Sequence, residues 1–249
     1  MNNVSDTFSI IVPAYNEEKY ISRCLQSIFA LKDQAIISEV IVVNNASTDG
    51  TAEVVKRDFP AAIIIDEARK GLTIAYNRGA KDARGNILVF VDADMVLNAN
   101  HLIKVAQEFI QDPTLIALSG PYVYQDGSPF CKVIMNLTYM FLAVPAEMLF
   151  NRVFNISASI ASGNSAVRKK AFDQVGGFNE AMFYGLETDF ALRLKRFGKV
   201  RFKPGLSAMS SSRRLAEEGT LKVVFLHVMN TLWPLLFHRP FTLKYADIR

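Results

Sequence analysis

Cysteine is scarce, and the two present, Cys24 and Cys131, stand far apart without metal-ligand spacing. That excludes a disulfide framework and a cysteine-based zinc site, so both read as reduced packing residues of a cytoplasmic protein. No Gly-X-Gly-X-X-Gly follows any apolar run, which argues against a dinucleotide-dependent dehydrogenase. The segment 1–7 is neither basic nor apolar, so no signal peptide is expected there. There is no internal repeat and no low-complexity segment. Charge of one sign is also lacking: 28 Lys and Arg against 24 Asp and Glu leave a net +4, too little to imply a nucleic-acid partner.

What basic excess there is gathers late in the chain. Arg193, Lys195, Arg196, Lys199, Arg201, Lys203, Arg213, Arg214, Lys222, Arg239, Lys244 and Arg249 face only Glu217, Glu218 and Asp247. This region is expected to attract phosphate or an anionic membrane surface. Half of the 249 residues are hydrophobic, enough for a sizeable core in one large α/β domain or two small ones.

The most informative stretch is Asn86-Ile-Leu-Val-Phe-Val-Asp-Ala-Asp94. Its apolar run does not alternate, the mark of a strand buried on both faces of a largely parallel sheet. It ends in Asp92 and Asp94. Ligands bind at that edge of an open α/β sheet, and two hard oxygen donors spaced i, i+2 can face a divalent cation carried by a phosphate.

Around it, strands are predicted over 8–12 (closed by Pro13), 40–43, 61–65 and 115–118. Helices are predicted after Asn16, over 51–57, over 73–84 and after Asn98 or Asn100. Ile21, Cys24, Leu25, Ile28 and Leu31 form one apolar stripe, and Asn16, Glu17 and Glu18 read as its cap and first-turn acids. Leu102, Ile103, Ala106, Phe109 and Ile110 form another. The alternation of strand and helix is the pattern of right-handed βαβ units. From Pro121 it fades, and apolar residues crowd into 133–150 and 221–237. Both are interrupted by polar residues or proline, so they read either as buried core helices or as segments lying in a membrane interface.

Four stations sit where strands meet the next element: Val12-Pro-Ala-Tyr-Asn-Glu17, Asn44-Asn-Ala-Ser-Thr-Asp-Gly-Thr51, Asp92-Ala-Asp94 and Gly185-Leu-Glu-Thr-Asp-Phe190. In this order and spacing the chain, over about 8–205, resembles the family 2 glycosyltransferases, inverting enzymes of the GT-A fold that use nucleotide-activated sugars. The resemblance implies an α/β GT-A-like fold, with a mixed, mostly parallel central sheet flanked by helices. It would fill 1–205, the donor half about 1–120 and the acceptor half about 121–205, with a basic, apolar, helical extension at 206–249. The activity implied is metal-dependent transfer of a hexosyl group from a nucleoside-diphosphate sugar to an acceptor hydroxyl, in the building of cell-envelope glycolipid or polysaccharide.

By the same resemblance Pro13, Ala14, Tyr15 and Glu17 line the base and ribose. Asn44 and Asn45 stand where the family usually has an acid that touches the base, a departure that leaves the base open. Lys70 and Arg78 are either donor contacts or solvated helix charges. Asp92, Ala93 and Asp94 match the metal motif, Asp94 as direct ligand of Mg²⁺ or Mn²⁺ and Asp92 nearer the ribose and the metal's waters. Gly163 and Asn164 match the acceptor side, though Asn164 also suits a turn. In Gly185-Leu-Glu-Thr-Asp189 similar enzymes carry an Asp as base where this chain has Glu187, with Asp189 as the rival assignment. Arg213 and Arg214 suit either a diphosphate clamp or a basic membrane-facing loop. The Gln-X-X-Arg-Trp motif of processive relatives is missing, which argues against a polymer synthase. The basic and apolar carboxyl-terminal region suggests peripheral contact with the inner face of a membrane and a lipid-linked acceptor. Two alternatives are a nucleotide-sugar-binding protein without catalysis and a sugar nucleotidyltransferase, the latter lacking its usual Gly-rich, Arg-bearing loop.

Overall fold

A computed structural model describes residues 6–32, 34–124, 160–182 and 185–213, with the isolated positions Val133, Leu137 and Met229. The segments 133–150 (apart from Val133 and Leu137) and 221–237 (apart from Met229), with Cys131 and Arg214, lie outside the described residues.

The framework is one seven-stranded sheet. Its strands are β1 (Phe8–Ala14), β2 (Ile37–Asn44), β3 (Ile63–Asp66), β4 (Ile87–Val91), β5 (Leu115–Ser119), β7 (Asn164–Arg168) and β8 (Lys199–Phe202). The order is β3-β2-β1-β4-β7-β5-β8, with β7 alone antiparallel to both neighbours. Two short strands, β6 (Tyr122–Tyr124) and β9 (Ala208–Ser210), form a separate parallel pair. Past 205, as far as the chain is described, Leu206 and Ala208 lie in the core and Met209 is bridged to Val96.

Helices cover both faces, which is why the central strands read as unbroken apolar runs. On one face Ile10, Val12 and Val89 meet Ile21, Leu25 and Ile28 of α1 (Ile21–Phe29) and Leu102, Val105 and Phe109 of α4 (His101–Gln111), with α2 (Thr51–Asp58) beside α1. On the other, Ile11, Leu88 and Phe90 meet Ala75 and Tyr76 of α3 (Leu72–Asp82), Phe172 of α5 (Lys169–Gln174), and Phe190 and Leu194 of α6 (Leu186–Leu194). Tyr76, Phe90, Phe172, Phe178 and Phe190 form a continuous ring cluster, Phe178 and Phe190 only 4.1 Å apart between centroids.

Three expectations need correction. Pro13 does not close β1 but lies inside it opposite Val43. Pairing of β1 with β4 has ended at Ile11, so the N–H that Pro13 lacks breaks no bond on that side. Asn16 is not a helix cap: α1 starts at Ile21 with Tyr20 before it, and Asn16, at φ 53°, accepts the Thr48 N–H at 2.8 Å. On α4 the buried face is Leu102, Val105 and Phe109, while Ile110 is 73% exposed. The helix is turned so that Glu108 pairs with Arg201 and Lys203 beside β8.

β1 hydrogen-bonds β2 on one side and β4 on the other. The strand order reverses there, and the carboxyl ends of β1 and β4 open a crevice of the kind that holds ligands in α/β sheets.

Candidate active site

The first turn after β1 is clasped by the loop after β2. Asn16 N–H donates to Ser47 Oγ at 3.2 Å, Glu17 N–H to Thr51 Oγ1 at 2.8 Å, and Glu18 N–H to Asp49 Oδ2 at 3.1 Å. Burial raises the Asp49 pKa, but the Thr51 hydroxyl and the N–H groups of Glu18 and Thr51 outweigh it and hold the carboxyl below its ordinary value. The Ser47–Thr51 loop is thus tied up in positioning the turn. Pro13 and Ala14 sit in the strand, Tyr15 is half-buried with Lys70 Nζ 3.9 Å over its ring, and Glu17 is turned inward, 1% exposed.

Asn44 and Asn45 have different partners. Asn45 tethers the loop after β3, donating to the carbonyls of Glu67 and Arg69 and accepting the Gly71 N–H at 2.8 Å. Asn44 donates to Asp66 Oδ1 at 2.8 Å. Arg78 pairs along α3 with Asp82, one helical turn away. Arg69 instead spans from that loop to Glu180 at 2.9 Å.

Asp92 and Asp94 follow β4 directly, with Ala93 buried between them. The Asp92 carboxylate is gripped from two sides: Tyr76 donates its hydroxyl to Oδ1, and Gly163 lies so close that a Cβ there would fall 2.2 Å from Oδ2. Burial first, then the Asp92 charge, pushes the Tyr76 hydroxyl well above its ordinary pKa, so it stays protonated as a donor. Asp94 stands 3.4 Å from the guanidinium of Arg213, which also pairs with Glu17 and covers the Tyr20 ring at 4.5 Å. Burial lowers the Arg213 pKa, but Glu17 and then Asp94 more than offset it and leave it raised.

Glu187 and Asp189 occupy the first turn of α6. The helix ends at Leu194, and Phe197 beyond it is 46% exposed. Ser162 Oγ donates to Glu187 Oε1 at 3.0 Å. Asp189 pairs with Arg193, which donates to the carbonyls of Val175 and Gly177. Those carbonyls end α5, where Gly176 and Gly177 take φ of 75° and 72° as the Gly-Gly pair leads one to expect. Asn164 is buried, and its amide donates to the carbonyls of Pro121 and Leu206.

The family model for glycosyl transferase family 2 matches residues 9–176. The chain belongs to that family. It is 30% identical over 198 residues to the chondroitin synthase of Pasteurella multocida (strain Pm70), which covers 78% of this chain and 19% of that protein. It spans about a fifth of the length of the first curated relatives it matches. The structure is similar to the mannosyltransferase PcManGT from Pyrobaculum calidifontis, solved in complex with GDP-Man and Mn²⁺. The TM-score is 0.70 at 21% identity, over 93% of this chain and 64% of that one. It is also similar to S. aureus TarS in complex with UDP-GlcNAc, with TM-score 0.64 at 22% identity, over 82% and 58%. The likeness to these two structures shows a shared GT-A fold.

The family 2 match includes the first turn, Asp92, Asp94, Gly163 and Asn164, and stops before Glu187. Several residues of this site escaped the sequence reading. Tyr76 is the sole aromatic residue of α3, a signal that was present but unread. Ser162 belongs to the Ser162-Gly-Asn164 stretch that the resemblance sets on the acceptor side, but its bond to Glu187, like that of Asp66 with Asn44, depends on a partner brought to it by the fold.

Proposed function

We propose that this family 2 protein transfers a sugar from a nucleoside-diphosphate donor to an acceptor hydroxyl with inversion, with Glu187 as the base. The observation that carries this reading is the contiguity of two carboxylates through consecutive residues. Gly163 abuts Asp92, and Ser162 holds Glu187.

The residues fit a divalent cation. Asp94 already attracts the guanidinium of Arg213, and Asp92 is fixed by Tyr76 and Gly163. Among the described residues no cluster of three or more His, Cys, Asp or Glu side chains encloses a metal. Asp94 and Asp92 would hold the ion, hard carboxylate oxygens of the kind that suit Mg²⁺ or Mn²⁺. Bound there, the ion would neutralise charge developing on the departing diphosphate.

Glu187 takes the acceptor proton as the acceptor oxygen bonds to the anomeric carbon and the bond to the diphosphate breaks. The Ser162 hydroxyl aims the carboxylate. Asp189 supports α6 through Arg193, a positioning role. Attack opposite the leaving diphosphate inverts the anomeric centre. Arg213 adds positive charge on the diphosphate side. Titration with UDP-, GDP- and dTDP-sugars in Mn²⁺ tests the reading: one donor releases its nucleoside diphosphate, and chelator or Asp94→Asn abolishes the release. Release unaffected by both would overturn it.

A further inference from the structure

Three pieces of chain distant in sequence share one cation. Arg213, just past β9, pairs with Glu17 of the first turn, stands 3.4 Å from Asp94 and lies over the Tyr20 ring. The two carboxylates are not equivalent. Glu17 is 1% exposed and its backbone is pinned by Thr51, so it has no room to turn away. Asp94 is 13% exposed, makes the longer contact, and borders a cavity of about 20 Å³ lined also by Tyr20, Arg23, Cys24 and Met209.

We propose that Glu17 is a positioning residue that anchors the Arg213 guanidinium so that Asp94 is left for the divalent cation. The inference rests on the reading of Asp94 as a metal ligand. A guanidinium and a divalent ion repel strongly at contact distance. Arg213 tolerates the ion because the buried Glu17 charge stays beside it when Asp94 turns to the metal. With Glu17 neutralised, the anion left beside Arg213 among the described residues is Asp94, and the guanidinium then closes on Asp94 and competes with the metal. By the resemblance Glu17 lines the base and ribose. Its inward carboxylate points to this other task.

The test uses Mn²⁺ alone, titrated into the full chain and followed by electron paramagnetic resonance, for the parent, Glu17→Gln, Arg213→Gln and the double variant. Glu17→Gln should weaken Mn²⁺ binding by about tenfold or more, since it leaves a full positive charge against Asp94. Arg213→Gln should bind at least as tightly as the parent, and the double variant should match Arg213→Gln. This rescue separates positioning from a loss of folding, in which the double variant would be as impaired as the worse single one. Glu17→Gln binding like the parent, or a double variant no better than Glu17→Gln, overturns the inference while leaving the proposed function standing. A parent that binds no Mn²⁺ overturns the metal reading and this inference with it.

Discussion

Gly163→Ala places one methyl group where the Asp92 carboxylate now lies. The new Cβ would stand 2.2 Å from Oδ2 and 2.3 Å from Cγ, where ordinary contact begins near 3.4 Å. The φ of Gly163 is not in the left-handed region, so the clash acts alone, without backbone strain. The carboxylate must move by more than about 1 Å. On its far side it is held by the hydroxyl of a fully buried Tyr76, and breaking that bond strands a buried donor at a cost of about 1–3 kcal/mol. For a chain of this size that lowers Tm by roughly 2–12 °C. Misplacing a reacting-site group by ~1 Å costs about 10²-fold, so kcat/KM for donor turnover in Mn²⁺ should fall by that order. Tyr76→Phe releases the far side, so the further cost of Gly163→Ala in that background should be smaller than in the parent. Steady-state kinetics and thermal melts of the four proteins decide it. A Gly163→Ala enzyme within about twofold of the parent in kcat/KM would refute the role given to the cradle.

Glu187→Gln should cut turnover by about 10²–10⁴-fold with donor Kd unchanged, while Asp189→Asn costs less; the reverse order in kcat would reassign the base to Asp189. His101 is buried, and burial first, then Lys104, lowers its pKa from 6.5 to about 4. The unfolded chain therefore binds the extra proton between those values, so stability is full above pH 6.5 and falls as pH drops toward 4, by about 3 kcal/mol in all. Denaturant melts should show His101→Gln flattening that window, and an unchanged slope would contradict the assignment. Flotation with anionic liposomes tests peripheral attachment: the protein should float at low salt and be released by high salt. Among the described residues no helix is long and apolar enough to cross a membrane, and the expectation rests on the apolar sequence at 133–150 and 221–237 with Arg213, Arg214, Lys222, Arg239 and Lys244 flanking the latter.

The sheet was legible wherever burial on both faces leaves an unmistakable run, as in Ile87–Val91, and Asp92 and Asp94 stood out because they end that run. The stripe on α1 was legible for the same reason of periodicity. What was hidden depends on contacts between distant segments. Arg213 and Glu17 are 196 residues apart, and nothing in either neighbourhood announces the pair. The ties of Asn45 to the loop after β3 were hidden for the same reason, since Glu67, Arg69 and Gly71 lie more than twenty residues on. The face of α4 was misread because Glu108, a charged residue, is drawn inward by Arg201 and Lys203, which periodicity counts as polar and therefore outward.

The stereochemical course of transfer bears most directly on the whole account. With the donor found by nucleotide release, the first-formed product is examined by NMR for the parent and for Glu187→Gln. The account predicts a new linkage of anomeric configuration opposite to the donor's, and almost none from Glu187→Gln although it still binds the donor. Retention of configuration, or parental rates from Glu187→Gln, would contradict it.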